Sequence, residues 1–265
     1  MAWFMGIDIG SEAAKGAITK DGAPAAEETL PSGYKYGEVA ESLRVRLLEK
    51  AGISFDDVEF TVATGQGRES VSFSDEMADD IRCAARGINS LFPNVRTIID
   101  VQGQSSRIIH VNELGQVGDF VVSEKCAAGS GQFLNVIGNV LRIDVDDIGE
   151  LSLKAKNPVR FTTGCVVFWE TEAISRVSEG FSKEDILAGV HRAMAEKIVS
   201  LIERIGLKEE CAVSGGGGLD IGLVKSIRDE LGVEVRLSEN PQTVTALGAA
   251  VMAAEISKRA KKGSG

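Results

Sequence analysis

Two turns in the sequence each combine an aspartate, a glycine and polar residues in an order that suits phosphate chemistry. The first, near the amino terminus, has the pattern D-x-G-S-x-x-x-K and contains Asp8, Gly10, Ser11 and Lys15. Glycine lets backbone N–H groups approach a phosphate, and a lysine can lie beside the terminal phosphoryl group. The aspartate is placed to hold Mg²⁺ through water. An ordinary β-hairpin is an equally good interpretation of this turn when it is considered alone.

A second turn and a glycine run add to this pattern. The second turn contains Asp100, Gly103 and Gln104, and a glutamine orients the attacking water in other nucleotide hydrolases. Four consecutive glycines then follow a strand-like segment, where bare backbone can lie against adenosine and ribose. They are Gly215, Gly216, Gly217 and Gly218. The three elements together predict a site for ATP or ADP with Mg²⁺.

Two of the four cysteines, Cys126 and Cys165, come directly before helical patterns. The amino terminus of a helix favours a thiolate and any anionic group bound to it. A [4Fe-4S] cluster is such a group, and because it needs four thiolates, two chains would have to supply them. Packing in the core is the alternative for both thiols. Cys83 and Cys211 lack this setting, and we expect them to be core residues.

The spacing of apolar residues predicts the elements that position these side chains. Strands are predicted at residues 3–9, 15–19, 59–63, 97–101, 107–111, 117–122, 211–214 and 233–237. Helices are predicted at residues 36–51, 75–91, 127–141, 148–155, 165–177, 183–205, 219–231 and 242–259. Each aspartate of a phosphate-type turn therefore lies on a strand that leads into a hairpin.

The strand and hairpin around Asp8 recur around Asp100, which suggests a duplicated α/β unit with a cleft between two lobes. We expect an amino-terminal ATPase lobe over residues 1–95 and a carboxy-terminal lobe with the cysteine-bearing helices over residues 96–265. The last helix, 242–260, could pack back onto the first lobe. The order of the three glycine turns resembles that of the actin, hexokinase and heat-shock-70 ATPase superfamily. That resemblance implies two ribonuclease H-like lobes with the nucleotide between them.

The composition of the chain limits the kinds of partner that it can bind. The chain has 29 Lys and Arg against 39 Asp and Glu, a formal charge of -10 that repels a nucleic-acid backbone. No hydrophobic run reaches the roughly 20 residues that span a bilayer, so we expect a cytoplasmic protein without a membrane partner. We expect His110 to lie at the surface or to pack, and His191 to be a capped or core residue rather than a metal ligand.

Several stretches, spread over nearly the whole chain, give a more specific resemblance. They are Gly6–Ser11, Ala63–Arg68, Lys125–Gly131, Cys165–Phe168, Glu170 with Glu172–Ser175, Gly189–His191 and Ala246–Ala250. In these stretches the chain closely resembles the activator ATPases of 2-hydroxyacyl-CoA dehydratases, also called archerases, and the ATPase subunits of ATP-dependent benzoyl-CoA reductase. The two cysteine motifs are the most specific part of this resemblance.

The resemblance implies a cofactor, partners and a cycle. Cys126 and Cys165 from each of two protomers would hold one [4Fe-4S] cluster at a dimer interface, and each protomer would bind ATP. A ferredoxin or flavodoxin would reduce the cluster, and ATP hydrolysis would drive one electron onto an acyl-CoA dehydratase or reductase. The dimer would be a homodimer or a heterodimer with a related subunit, and the sequence does not identify the partner enzyme or its acyl-CoA substrate.

The chain departs from the family pattern in its second turn. The family usually has Asp-x-Gly-Gly-Gln-Asp-x-Lys, whereas this chain has Gln102, Ser105 and Arg107 at three of those positions. The Mg²⁺ geometry and the hydrolysis rate are therefore left open. Asp220 stands where an asparagine is common, which leaves the adenosine contacts open too.

Two other functions remain as alternatives. A small-molecule kinase of the same superfamily would usually place an aspartate base beside a substrate pocket, whereas this chain has cysteine-bearing segments between its turns. A regulatory or assembly ATPase would use its cysteines only for packing.

Overall fold

The structure is a computed structural model of the 265-residue chain. It describes residues 2–123, 130–162 and 168–263, with the backbone alone at 262 and 263. The chain forms two compact units. Unit 1 comprises Met1–Val95, Val111–Gly118 and Gln242–Gly265, and unit 2 comprises Arg96–His110 and Asp119–Pro241.

Within the described residues the chain contains ten strands and eight α-helices. The strands are β1 (Trp3–Ile9), β2 (Ala13–Lys20), β3 (Ala23–Pro31), β4 (Val58–Thr64), β5 (Glu76–Met77), β6 (Thr97–Val101), β7 (Ser106–Val111), β8 (Val117–Val122), β9 (Cys211–Ser214) and β10 (Val235–Leu237). The helices are α1 (Tyr36–Ala51), α2 (Asp80–Leu91), α3 (Gly131–Leu141), α4 (Val145–Ser152), α5 (Trp169–Ser178), α6 (Lys183–Ile205), α7 (Ile221–Leu231) and α8 (Val244–Gly263). None of these helices has the length and apolar content that crossing a bilayer would need.

The two sheets have the same strand arrangement. One has the order β3-β2-β1-β4-β5, and the other has the order β10-β9-β6-β7-β8. In each sheet the first strand pairs antiparallel with the strand that follows it and parallel with the fourth strand, β1 with β4 and β6 with β9. The fold is therefore a duplication in which β1 to β5 correspond to β6 to β10.

The central strands β1 and β6 lie in the hydrophobic cores, because almost every residue in them is buried. In unit 1, glycines allow α8 to approach β1 and α2 closely. A Cβ atom added at Gly6 would lie 2.1 Å from the carbonyl oxygen of Ala246, and one added at Gly248 would lie 1.7 Å from that of Cys83. The carboxy-terminal helix is thus part of the unit that the amino terminus begins.

Most predicted elements match the structure in type, and several match in both bounds, among them β1, β6, β9, α1 and α6. The prediction for residues 75–91 was wrong at its start, because α2 begins at Asp80. The Asp79 side chain accepts the N–H groups of Ile81 and Arg82 at 3.0 and 3.2 Å, which caps the helix there. The preceding residues Glu76–Met77 pair with β4 instead.

The observed bounds of some other elements also differ from the predicted ones. The edge strand β3 was not predicted, and α4 and α7 begin at other residues than expected. Asp144 and Asp220 explain the starts of these two helices, since each carboxylate accepts a backbone N–H group of the first turn. The predicted helical residues 127–129 and 165–167 lie outside the described residues.

Candidate functional site

In unit 1, the strand pairing places Asp8 directly opposite Lys15. The Lys15 Nζ atom lies 2.7 Å from Oδ2 of Asp8, and the side chains are 14% and 5% exposed. Gly10 donates its N–H to the carbonyl of Ala13 at 3.1 Å and closes the turn. A Cβ atom at Gly10 would lie 2.8 Å from that carbonyl oxygen and 3.0 Å from Lys15 Nζ. Glycine suits this position because a side chain would press on the backbone carbonyl oxygen of Ala13.

The carbonyl groups of this first turn are engaged, whereas some of its N–H groups are not. The buried Ser32 hydroxyl donates to the Gly10 carbonyl at 2.6 Å, and the Ser32 N–H donates to the Glu12 carbonyl at 3.0 Å. In the part of the chain that the structure describes, the N–H groups of Ser11 and Glu12 have no protein acceptor. Such a turn is able to bind an anion through its backbone.

In unit 2, the equivalent pair is Asp100 and Arg107, which again lie opposite each other on paired strands. The Arg107 Nη2 and Nε atoms lie 2.6 and 3.1 Å from Oδ2 of Asp100. The two side chains are only 6% and 0% exposed. The Ser214 hydroxyl donates to the other oxygen, Oδ1, at 3.0 Å. Both oxygens of Asp100 thus accept hydrogen bonds from the protein.

The turn between β6 and β7, residues 102–105, also presents N–H groups. Gln102 donates to the carbonyl of Ser105 at 2.8 Å. The carbonyls of Gln102 and Gly103 accept the N–H groups of Gly131 and Gln132 at 2.8 and 2.9 Å. Among residues 2–123, 130–162 and 168–263, no acceptor pairs with the N–H groups of Gly103, Gln104 or Ser105. The second turn therefore has the same ability to bind an anion as the first.

The predicted adenosine loop follows β9 and passes close to Asp100. Gly215 has a φ of +83°, and a Cβ atom there would lie 2.3 Å from the Val101 carbonyl oxygen and 2.9 Å from Oδ1 of Asp100. A Cβ atom at Gly217 would lie 2.3 Å from Cγ1 of Val101. The Gly215 N–H donates to the Pro241 carbonyl at 2.9 Å. The glycines are needed because the loop lies directly on the strand that carries Asp100.

The side chain of Asp220, at the end of this loop, is directed into unit 2. Its Oδ1 atom accepts the Leu223 N–H at 2.9 Å, and its Oδ2 atom lies 3.0 Å from Nε2 of the buried His191. Asp220 therefore caps α7. This capping role explains why an aspartate stands at this position, and a contact with adenosine is not needed to explain it. The core role predicted for His191 is confirmed, and Nε2 of the buried His110 lies 2.9 Å from the Gly206 carbonyl oxygen.

The stretch Ala63–Arg68 contributed to the family resemblance, but its role as the counterpart of the glycine loop in unit 1 was not predicted. Gly65 has a φ of +85°, and a Cβ atom there would lie 2.3 Å from Oδ1 of Asp8. The Gly67 N–H donates to the Ile9 carbonyl at 2.9 Å. The shared pattern of a hydroxyl residue, Gly, any residue and Gly after a strand, at 64–67 and 214–217, could have revealed it.

Two of the four cysteines are core residues, as predicted. Burial raises the pKa of the Cys83 thiol to about 12 and that of the Cys211 thiol to about 11. Cys83 packs with its Sγ 3.8 Å from Sδ of Met252. Neither thiol is suited to act as a thiolate ligand. Cys126 and Cys165, which the sequence assigns to a metal centre, lie outside the described residues.

A family model described as the BadF/BadG/BcrA/BcrD ATPase family matches residues 5–253. The chain belongs to this family. The crystal structure of component A of (R)-2-hydroxyglutaryl-CoA dehydratase from Acidaminococcus fermentans is 37% identical, with a TM-score of 0.94 over 97% of this chain and 100% of that one. The activator of 2-hydroxyisocaproyl-CoA dehydratase from Clostridium difficile, with bound ADPNP, is 36% identical, with a TM-score of 0.92 over 98% and 97%.

One of the subunits of benzoyl-CoA reductase from Thauera aromatica is 34% identical over 85% of this chain and 82% of its own length. At 12% identity, a ROK family glucokinase from Streptomyces griseus has a TM-score of 0.62 over 96% of this chain and 100% of that one. This last similarity shows the fold alone. The family and the hexokinase-like ATPase fold predicted from the sequence are thus confirmed, and the chain is an ATPase of this family.

Proposed function

We propose that the chain is an ATP-dependent activator that passes single electrons to a 2-hydroxyacyl-CoA dehydratase or a related acyl-CoA reductase. One observation carries the proposal. The chain has two matching turns, each with an aspartate–cation pair and with N–H groups that have no acceptor among the described residues, within a fold that it shares over 97% of its length with a dehydratase component. The names of its relatives give the class of the partner enzyme.

In this proposal the turns bind the phosphates of ATP. Ser11 contributes its N–H, and Lys15 lies beside the terminal phosphoryl group. Asp8 and Asp100 hold Mg²⁺ through water, and Gln104 orients the attacking water. The exposed position of the Gln104 side chain supports this role, because it has no packing function that would fix it elsewhere.

In the second turn, Gly103 supplies an N–H group that binds phosphate. In the first turn, Gly10 allows the backbone to close the turn. The glycines of the loop after β9 lie along adenosine and ribose. They are Gly215, Gly216 and Gly217. Because these residues have no side chains, their backbone atoms remain accessible for this contact. The loop also approaches β6 closely at Gly215 and Gly217, which leaves no room for a side chain there.

The two aspartates contribute unequally. Asp8 is paired with one ammonium group, and Lys15 can turn toward phosphate because it is partly exposed. Two N–H groups of Arg107 converge on one oxygen of Asp100, and this charge-assisted contact is stronger than one made by lysine. We therefore assign Asp8 the larger share of the Mg²⁺ contact, while Asp100 fixes the geometry of the second turn.

Cys126 and Cys165 would hold a [4Fe-4S] cluster with the same two residues of a second copy or of a related subunit. The donor set supports this fit, because Cys83 and Cys211 are buried with raised pKa values, so that only the other two thiols remain for ligation. When bound, such a group supplies one electron at low potential. A ferredoxin or flavodoxin would be the source of that electron.

Metal content under anaerobic conditions tests this assignment. We expect the wild-type chain to be brown, with about four iron and four sulfide per dimer. Cys126→Ser and Cys165→Ser should each abolish the bound iron. Cys83→Ser is the matched control and should leave it unchanged, because that thiol is a core residue. A colourless wild-type protein that phosphorylates a small metabolite would instead identify a kinase.

A further inference from the structure

A single buried serine is hydrogen-bonded to both ends of the first phosphate turn. Ser32 follows Pro31, the last residue of β3, and is fully buried. Its hydroxyl donates to the Gly10 carbonyl at 2.6 Å, and its backbone N–H donates to the Glu12 carbonyl at 3.0 Å. The carbonyl groups of the residues before and after Ser11 are therefore both bound by Ser32.

The local structure places Ser32 beside this turn. The pairing of β2 with β3 extends to Ala13 and Pro31, so the next residue of β3 lies beside Glu12. Gly33 then has a φ of +55°, with nothing within 4 Å of an added Cβ atom. A glycine adopts this left-handed conformation readily, and it turns the chain away directly after Ser32. The serine is thus fixed by the strand before it and by the turn after it.

The hydrogen bond to Gly10 fixes the direction of the Ser11 N–H group. The Gly10 carbonyl and the Ser11 N–H belong to one trans peptide unit, in which the two groups point in opposite directions. While the carbonyl points toward the Ser32 hydroxyl, the N–H must point away from it. The Ser11 N–H has no acceptor among the described residues. This direction therefore leaves it available to an anion.

Without the hydroxyl, the Gly10 carbonyl would face a methyl group instead of a donor. An unpaired carbonyl away from water costs free energy, and rotation of the peptide unit toward solvent relieves that cost. Because glycine has no Cβ atom, the backbone at Gly10 offers little resistance to this rotation. The Ser11 N–H would rotate with the carbonyl and would lose the direction that a bound phosphate requires.

We infer that Ser32 is a positioning residue that holds the Gly10–Ser11 peptide unit in the orientation that binds phosphate. Ser32 acts through the backbone of the turn and makes no contact with the nucleotide. The inference rests on the proposed nucleotide function and adds to that site a residue that the spacing of the turn does not include.

The second phosphate turn is held in a different way. The carbonyls of Gln102 and Gly103 accept backbone N–H groups, which an alanine substitution does not remove. The Ser123 hydroxyl accepts the Ser106 N–H at 2.9 Å and so contacts the residue after the turn. Substitution of Ser32 therefore changes the first turn and leaves these contacts of the second turn intact.

Steady-state ATP hydrolysis by the full-length, anaerobically purified protein tests the inference. Ser32→Ala should raise the KM for ATP about tenfold, because only about one molecule in ten would then hold the turn in the binding orientation. The Kd for ADPNP, measured by calorimetry, should rise by the same factor. The kcat should stay within about twofold of the wild-type value, because bound nucleotide selects the same orientation of the turn.

Two further variants serve as controls. Ser32→Thr keeps the hydroxyl and should return KM and Kd to near the wild-type values. Ser74→Ala is the matched control, because the Ser74 hydroxyl also donates to a backbone carbonyl of unit 1, that of Val71, at 2.9 Å. It should leave both constants unchanged. Urea unfolding of each variant shows that the assays compare folded proteins.

The results separate this inference from the proposed function. Wild-type KM and Kd in Ser32→Ala would overturn the inference, as would a fall in kcat with KM unchanged or an equal rise of KM in Ser74→Ala. Each of these results leaves the nucleotide function standing. A wild-type protein that neither hydrolyses ATP nor binds ADPNP would overturn both.

Discussion

The two phosphate turns share their chemistry and differ in what holds them. Each has an aspartate paired with a cation on the opposite strand and a glycine of positive φ against that aspartate. In unit 1 the Gly10 carbonyl accepts a serine hydroxyl, whereas in unit 2 the carbonyls of Gln102 and Gly103 accept the start of α3. The first turn is thus supported by a serine side chain. The second is supported by backbone N–H groups at the start of a helix.

The ion pairs of the two turns also differ, because the pair in unit 2 is more deeply buried than the pair in unit 1. Lys15 is partly exposed and also donates to the Ala13 carbonyl, whereas Arg107 is buried against a fully buried Asp100. A buried guanidinium depends more on its carboxylate than a partly solvated ammonium does. The comparison therefore predicts that equivalent substitutions in the two ion pairs have unequal effects on the free energy of unfolding.

The largest effect is expected for Asp100→Asn. It should lower the free energy of unfolding by about 3–5 kcal/mol, because it leaves the buried Arg107 charge without the Asp100 carboxylate. Asp8→Asn should cost clearly less, because water reaches Lys15. Urea unfolding measures both, and the double variant Asp100→Asn with Arg107→Met should recover most of the loss. Equal losses for the two single variants would remove the energetic difference between the pairs.

Substitution of the two corresponding glycines should give the next largest effect. Gly65→Ala and Gly215→Ala should each lower stability by about 2–3 kcal/mol, since a Cβ atom would combine positive φ with a clash against the aspartate strand. Gly52→Ala and Gly232→Ala isolate the backbone term, because both have positive φ and nothing within 4 Å of the added Cβ. They should cost about 1 kcal/mol. Thermal unfolding measures the loss of stability in each variant. Equal losses in all four variants would show that the clash with the aspartate strand adds nothing to the cost of positive φ.

Arg107→Lys makes the second pair resemble the first and should have a smaller effect. One of the two contacts with Oδ2 of Asp100 is lost, so stability should fall by about 1 kcal/mol. The freed lone pair should lower the Mg²⁺ concentration that gives half-maximal ATP hydrolysis. If that concentration rises instead, the two Arg107 contacts hold Asp100 in position for Mg²⁺, and the assignment of the larger share to Asp8 is wrong.

The smallest expected difference concerns acid sensitivity. Hydrogen bonds from Ser54 lower the pKa of Asp57 in unit 1, and a backbone hydrogen bond from Asn157, together with the Ser182 hydroxyl, lowers the pKa of Asp185 in unit 2. A lowered pKa stabilises the fold at pH values above the unfolded-state pKa, about 3.9 for aspartate, and the contribution is lost as the pH falls through the folded value. Asp57→Asn and Asp185→Asn should each flatten the acid limb of the stability curve to a similar extent.

The sequence predicted the parts of the fold that depend on local pattern. The strand Thr97–Val101 and the helix Lys183–Ile205 were predicted with the observed bounds, because the first is a short β-branched run and the second keeps apolar residues at helical spacing. The strand Ala23–Pro31 could not be predicted in this way. Most of its side chains are at least partly exposed, and its strand conformation depends on pairing with β2, which is a tertiary effect.

The candidate site shows the same division. The aspartates and the lysine of the turns follow from spacing, since their partners lie seven residues away on a hairpin. The supports of the turns, Ser32 and Ser123, were not predicted. Each acts on a residue far from it in sequence, and a serine after a strand has no pattern that distinguishes it from a surface residue.

Anaerobic electron transfer with a purified acyl-CoA dehydratase tests the central claim most directly. The reduced protein, loaded with its cluster, would be mixed with the dehydratase in single-turnover amounts with ATP, ADPNP or no nucleotide, and reduction of the dehydratase would be followed by electron paramagnetic resonance. We predict one electron transferred per dimer with ATP and none without nucleotide. Transfer at the same rate in the absence of nucleotide, or no transfer with ATP to any dehydratase or reductase of this class, would contradict the account.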